Sequence, residues 1–122
     1  MMGTYIDEMV LKITEKIYQN DPSLMQRYGE KGRQKCIEDN YHHFKHLQTA
    51  YEMDDEKIFN DYAMWLNGIL QKFGMSTELL MENFNLIIET LESDKSKKED
   101  EKVVRFIHYL KKANTVLDAE GR

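Results

Sequence analysis

One proline stands in 122 residues, Pro22, and it sits where a helix would begin rather than where one would break. With six glycines as the other breakers, long helices can be written through most of the chain. No segment alternates polar and apolar residues with a period of two, so no strand is predicted, and no internal repeat is present. Apolar residues recur instead at spacings of three and four, the mark of helices that each bury one face. The expectation is an all-α bundle of five or six helices forming a single domain over residues 1–122.

The first helix is expected over 4–19, capped by Thr4, with Ile6, Met9, Val10, Ile13 and Ile17 on its buried face. Asn20-Asp21-Pro22 ends it, and Asp21 caps a short second helix carrying Leu24, Met25 and Tyr28. Gly29 and Gly32 bracket Glu30-Lys31 in a turn or bend. A helix over 33–52 follows, with Ile37, Asn40, Phe44, Leu47 and Tyr51 in one stripe flanked by Cys36, His43 and Ala50. Asp54 is expected to cap the next helix, 55–73, with Met53 and Ile58 as a hydrophobic staple. Its wide stripe runs Ile58, Phe59, Tyr62, Trp65, Leu66, Ile69, Leu70 and Phe73. Gly74 suits the left-handed position that closes it. Ser76 caps a fifth segment, stapled by Met75 and Leu80, with Leu79, Phe84, Ile87, Ile88 and Leu91 also buried. The charge run 93–102 reads as a solvated connector, with Ser96 and Glu99 as a capping box. The last helix, 97–118, buries Val103, Phe106, Ile107, Leu110, Ala113 and Leu117, and 119–122 are expected to fray.

A net charge of −5 and a pI near 5.4 argue against a general nucleic-acid binder, which needs a basic stripe. No apolar run approaches the roughly 20 residues that span a bilayer. The opening MMGTYIDEMVLKI is acidic where an export signal requires positive charge. A lone cysteine forms no internal disulfide and no zinc framework, which suits a reducing cytoplasm.

Chemistry-bearing residues gather between Cys36 and Phe73. Glu38, His42 and His46 lie at i, i+4 and i+8, a spacing that could chelate a metal. They fall on the polar face, however, and are read as solvated, with no metal expected. Asn40 and His43 fall on the apolar face, where a buried polar atom without a partner costs about 1–3 kcal/mol. His43 is either a satisfied core histidine tying helices together or a side chain facing a ligand cavity, and Asn40 has the same two readings. Phe59, Tyr62 and Trp65 are core or pocket wall. Catalysis has little support. Cys36 and His43 stand two turns apart, and apolar surroundings would raise the thiol's pKa. No phosphate loop, nucleophile elbow or paired carboxylate site is present. The chain is not expected to be an enzyme.

Cys36, Asp39-Asn40, His43-Phe44 and Leu47, followed by Phe59, Asp61-Tyr62, Trp65-Leu66 and Leu70, form a longer pattern. It resembles the haem-free globin-like sensor domains of Bacillus signalling proteins. These include stand-alone proteins that inhibit sporulation and are similar to the sensor domain of a sporulation histidine kinase. The likeness covers about residues 24–92. It implies a globin-like helical fold, a homodimer, and an apolar cavity that takes a fatty acid or a halide such as chloride. It also implies action by competition for a kinase sensor's signal or contacts. Asp39, Asn40, His43, Asp61 and Tyr62 are the polar positions of the pattern, and Trp65 and Leu66 would be packing or cavity wall.

The residues speak separately on haem. The histidines are His42, His43, His46 and His108, and the helices expected over 55–73 and 77–92 contain none. Haem could be held only through His43 or His108, and none is expected. The resemblance implies a fatty-acyl ligand, for which the expected set is Asn40 and His43 as polar contacts, with Phe44, Leu47, Phe59, Tyr62, Trp65, Leu66 and Leu70 around the acyl chain. A helical adaptor with a packed core, docking a kinase or its regulator, is the alternative, and a haem globin a further one. The terminal helices are the expected dimer surface.

Overall fold

The computed structural model describes residues 2–121, with side chains from Thr4 to Gly121. Among them stand five α-helices and no strand: α1 (Met2–Asn20), α2 (Ser23–Met53), α3 (Glu56–Lys72), α4 (Thr77–Ser93) and α5 (Glu101–Val116). A short 3-10 turn, Lys95–Lys97, joins α4 to α5, and a π turn, Leu117–Gly121, prolongs α5. The chain divides into two compact units, one reaching Lys45 and the other starting at His46, with the division inside α2.

In the first unit, α1 and the leading part of α2 form an antiparallel hairpin. Tyr41 Oη donates to Asp7 Oδ1 at 2.6 Å, and the Thr14 and Cys36 side chains are hydrogen-bonded further along. Met9, Val10, Ile13 and Thr14 are buried, while Ile6 and Ile17 are half-buried. α1 starts at Met2, so Thr4 lies inside the first turn instead of capping it. Asp21 Oδ1 accepts from the Ser23 amide at 3.2 Å and the Ser23 hydroxyl at 2.5 Å, so the acid does open α2. The separate short helix of the sequence reading is the first part of α2. The expected bend is a kink at Gly29, whose φ of 63° and ψ of −159° leave the helical region before the helix resumes. At Gly32 a Cβ would meet the Tyr28 Cβ at 2.4 Å, so the bend also needs this second glycine.

In the second unit, α2 and α3 both end in left-handed residues with the same pair of closing bonds. At Gly74, with φ 79°, the Gly74 amide donates to Gln71 O at 3.0 Å and the Met75 amide to Leu70 O at 2.9 Å. At Asp54, with φ 51°, the Asp54 amide donates to Tyr51 O at 3.1 Å and the Asp55 amide to Ala50 O at 3.0 Å. Asp54 thus closes α2, and the cap of α3 moves to Asp55, whose side chain accepts from the Lys57 amide at 2.9 Å. The expected staple is displaced with it, and Met53 is exposed. Ser76 caps α4 as expected, accepting from the Leu79 amide at 3.3 Å. The Ser96–Glu99 box does not form. Asp94 accepts from Ser96, stabilising the 3-10 turn, and Asp100 caps α5 through the Val103 amide at 3.2 Å.

The core of this unit joins Leu47 and Ala50 of α2 to Phe59 and Ala63 of α3. From α4 come Leu80, Phe84, Ile87, Ile88 and Leu91, and from α5 Val103, Phe106, Tyr109, Leu110 and Ala113. Phe59 and Phe84 meet ring to ring at 5.3 Å. Leu79, expected inside, is exposed, and Ile107 is half-buried while Tyr109 takes a buried place. The chain's end is held where fraying was expected. The Gly121 carbonyl accepts from Asn67 Nδ2 at 3.0 Å, Gln71 Nε2 at 2.8 Å and Thr77 Oγ1 at 3.1 Å. Arg122, the last residue of that expected frayed segment, lies outside the described residues.

Candidate functional site

α2 carries the polar residues that stood out in the sequence. Asn40 is 0% exposed and His43 1%, and Phe44 is buried beside them, while His42 on the opposite side is exposed. Helical phase separates adjacent histidines into one inside and one outside. Asn40 Nδ2 donates to the Cys36 carbonyl at 3.0 Å, four residues back, and lies 3.7 Å from Cys36 Sγ. Burial pushes the Cys36 thiol above its usual value, and Asp39 adds to this, while bonds to Thr14 and Asn40 and the Arg33 charge oppose it. A raised thiol is a poor nucleophile at neutral pH.

His46 does not share the solvated position of His42. It is half-buried, and its ring lies flat on Tyr62, centroids 3.8 Å apart and planes 12° from parallel. The stack joins α2 to α3 where the sequence reading placed only a surface histidine. Among the described residues no group of three or more His, Cys, Asp or Glu is arranged to hold a metal ion, so Glu38, His42 and His46 do not converge.

The aromatic stripe of α3 splits between inside and outside. Phe59 is fully buried and Tyr62 nearly so, with ring centroids 5.6 Å apart. Leu47 is buried, and Leu66 and Leu70 are half-buried. Trp65 is 63% exposed, turned outward where a core or cavity-wall position was expected. Ala63 and Asn67 occupy the inward positions of α3 instead. Small and polar side chains thus carry part of the inward face and rotate the indole into solvent.

A polar cluster that the sequence did not suggest closes the second unit where α2 gives way to α3. Asp54, Glu56, Arg105, His108 and Tyr109 line an open cleft of about 380 Å³. Arg105 pairs with Asp54 and donates to Tyr109 Oη at 2.6 Å, and its guanidinium lies over the Tyr51 ring. His108 Nε2 stands 3.4 Å from Glu56 Oε2, so this histidine is an exposed partner of an acid on α3. The Asp54–Arg105 ion pair and the approach of His108 to Glu56 suit a clasp between the α2–α3 junction and α5. No signal in the sequence links positions 54–56 to 105–109, because the connection exists only in the tertiary packing.

No family model matches the chain, and no curated protein or solved structure aligns with it.

Proposed function

We propose that this chain is a non-catalytic, haem-free sensor domain with a globin-like arrangement of helices. On this reading it binds a small ligand with an apolar body and an anionic head. A fatty acid fits that description, and chloride is the simplest anion that could take the head-group position. The supporting observation is the placement of two polar side chains, Asn40 and His43, at full burial on one face of α2. A helix that needed only packing would put apolar residues there. Asn40 and His43 would meet the head group, and Phe44, on the same helix face, would meet the start of the chain. Trp65, exposed as it is, has no part in this site. The resemblance to sporulation sensor domains supplies the setting. The domain would act in the cytoplasm, self-associate, and modulate a sensor histidine kinase pathway by competing for its signal or contacts.

Native mass spectrometry of the protein as purified from cells tests this. A folded species carrying one fatty-acid mass per chain supports the sensor. Empty protein, both as purified and after incubation with a long-chain fatty acid or with chloride, contradicts it.

One observation favours a second reading. The large apolar side chains of Trp65 on α3 and Phe73 just past its end, 63% and 76% exposed, suit a helical adaptor that acts by protein contact. Empty protein in the same measurement leaves that reading standing.

A further inference from the structure

The corner between α3 and α4 presents apolar side chains that the packing of the unit does not use. Phe73 is 76% exposed, Leu79 52% and Met75 39%. An apolar residue at 75 has a local duty, because it follows the left-handed Gly74 at a helix ending that favours one there. No such duty falls on Phe73 or Leu79. The backbone beneath them is held. The Gly74 and Met75 amides bond back to the Gln71 and Leu70 carbonyls at 3.0 and 2.9 Å, and Ser76 caps α4. Exposed side chains on a held backbone form a surface already in place for a partner.

The charges of this corner are nearly all of one sign. α4 carries glutamates and neither lysine nor arginine. Glu78 and Glu82 stand on either side of Leu79 in its sequence and are exposed. The Gly121 carbonyl accepts from Gln71 and Thr77, which ties the terminal turn to the same corner. Asp118 and Glu120 of that turn are exposed as well. Within residues 70–82 and 117–121 the single base is Lys72.

We propose that the α3–α4 corner docks a cationic amphipathic helix of another protein. Its apolar side chains, gathered on one side by their spacing of three and four, seat on Phe73, Met75 and Leu79. Its lysines and arginines meet the acids around them. Charge selects this occupant. A second copy of the chain would bring the same acids to the contact, and an anionic bilayer or a nucleic acid would bring phosphates, so each is repelled. The proposal rests on the protein-contact reading above and gives it a place and a class of partner. It needs no ligand beside Asn40 and His43. A patch of this size holds its partner with a dissociation constant on the order of ten micromolar or weaker. Solvated acids at its edge make that affinity fall as salt rises.

Fluorescence anisotropy of a labelled synthetic peptide, titrated with the full chain to hundreds of micromolar, tests the docking. The probe is an amphipathic helix of about 18 residues with leucine on one face and lysine on the other. A second probe carries glutamate in place of every lysine. Wild type should bind the lysine peptide saturably and the glutamate peptide at least about tenfold more weakly. Raising salt from about 50 to 500 mM should weaken the lysine peptide at least about threefold. Phe73→Ser combined with Leu79→Ser should weaken it at least about tenfold, with the helical circular dichroism intact, because both side chains are already in solvent. Glu82→Lys should weaken it too, while Glu8→Lys, the same change of charge at an exposed position of α1, should not. No binding of the lysine peptide overturns the proposal. Equal loss in the Glu82 and Glu8 variants, or equal binding of both peptides, also overturns it, as general attraction or plain stickiness. So does retention of the protein by phosphatidylglycerol vesicles that the double serine variant abolishes, which would make the occupant a lipid surface. The protein-contact reading itself is decided separately, by whether the purified protein carries a lipid.

Discussion

The hydroxyl of Tyr41 donates a 2.6 Å hydrogen bond to the Asp7 carboxylate, joining α2 to α1 across 34 positions of sequence. That bond, with burial and the Asp7 charge behind it, pushes the Tyr41 phenol above its ordinary value. In the unfolded chain the phenol releases its proton at lower pH than in the folded one. Its contribution to stability is therefore complete below the unfolded value and is lost as pH rises through the folded value. The pair is largely solvated, so Tyr41→Phe should lower stability at neutral pH by only about 0.5 kcal/mol or less. The variant should also lose stability less steeply in alkali. Urea denaturation of both proteins at neutral and alkaline pH measures both effects.

Cys36 should be slow to react. Its thiol is raised chiefly by burial, with the bonds to Thr14 and Asn40 only partly opposing this. Native protein should therefore react with a disulfide reagent far more slowly at neutral pH than protein unfolded in urea. The native rate should climb only at a pH above that at which a free thiol responds. Equal rates in both states would show that Cys36 is open to solvent as a thiolate.

The two left-handed helix ends should answer substitution with opposite signs. Gly74→Ala forces a Cβ into a φ of 79° and should cost about 1–2 kcal/mol. Asp54→Gly relieves a φ of 51° but removes the partner of Arg105, a surface pair worth about 0–1 kcal/mol. Its net effect should lie between neutral and a gain of about 1 kcal/mol. Thermal or urea denaturation of the two variants, side by side, gives the comparison.

The carbonyl of Gly121 provides a third contrast. Asn67 donates to it through Nδ2, while Asn67 Oδ1 is buried without a hydrogen-bond partner. Asn67→Leu removes one of three donors but also removes the unpaired acceptor, so its cost should stay near 1 kcal/mol or less. Gly121→Ala places a Cβ 2.9 Å from Asn67 Nδ2, and should cost about 1–3 kcal/mol by overpacking. An Asn67→Leu variant less stable than Gly121→Ala would mean that the other two donors cannot hold the carbonyl alone.

Periodicity made the helices legible, because burying one face imposes a spacing of three and four whatever the neighbours are. It also separated His43 from His42. Local rules faltered where two residues satisfied them equally. Asp54 and Asp55 could each cap α3, and the choice fell to Asp55 because α2 needed a left-handed residue at 54 to close its last turn. Ser96 and Asp100 competed in the same way, and the 3-10 turn after Asp94 decided for Asp100. Other features were out of reach because their partners are distant in sequence. Nothing around Gly121 announces donors at 67, 71 and 77, and nothing around Arg105 announces Asp54. Trp65 was misplaced for a different reason. A wide apolar stripe does not say which of its edges faces outward, and Asn67, whose side chain finds Gly121, took an inward place that polarity alone argued against.

The sensor reading rests on Asn40 and His43, and calorimetric titration tests it most directly. A long-chain fatty acid is titrated into delipidated wild type, Asn40→Leu and His43→Leu, each checked for helical content. Saturable binding by wild type at one site per chain, lost or weakened at least about tenfold in both variants, is the predicted result. No binding by wild type, or equal binding by all three folded proteins, would contradict it.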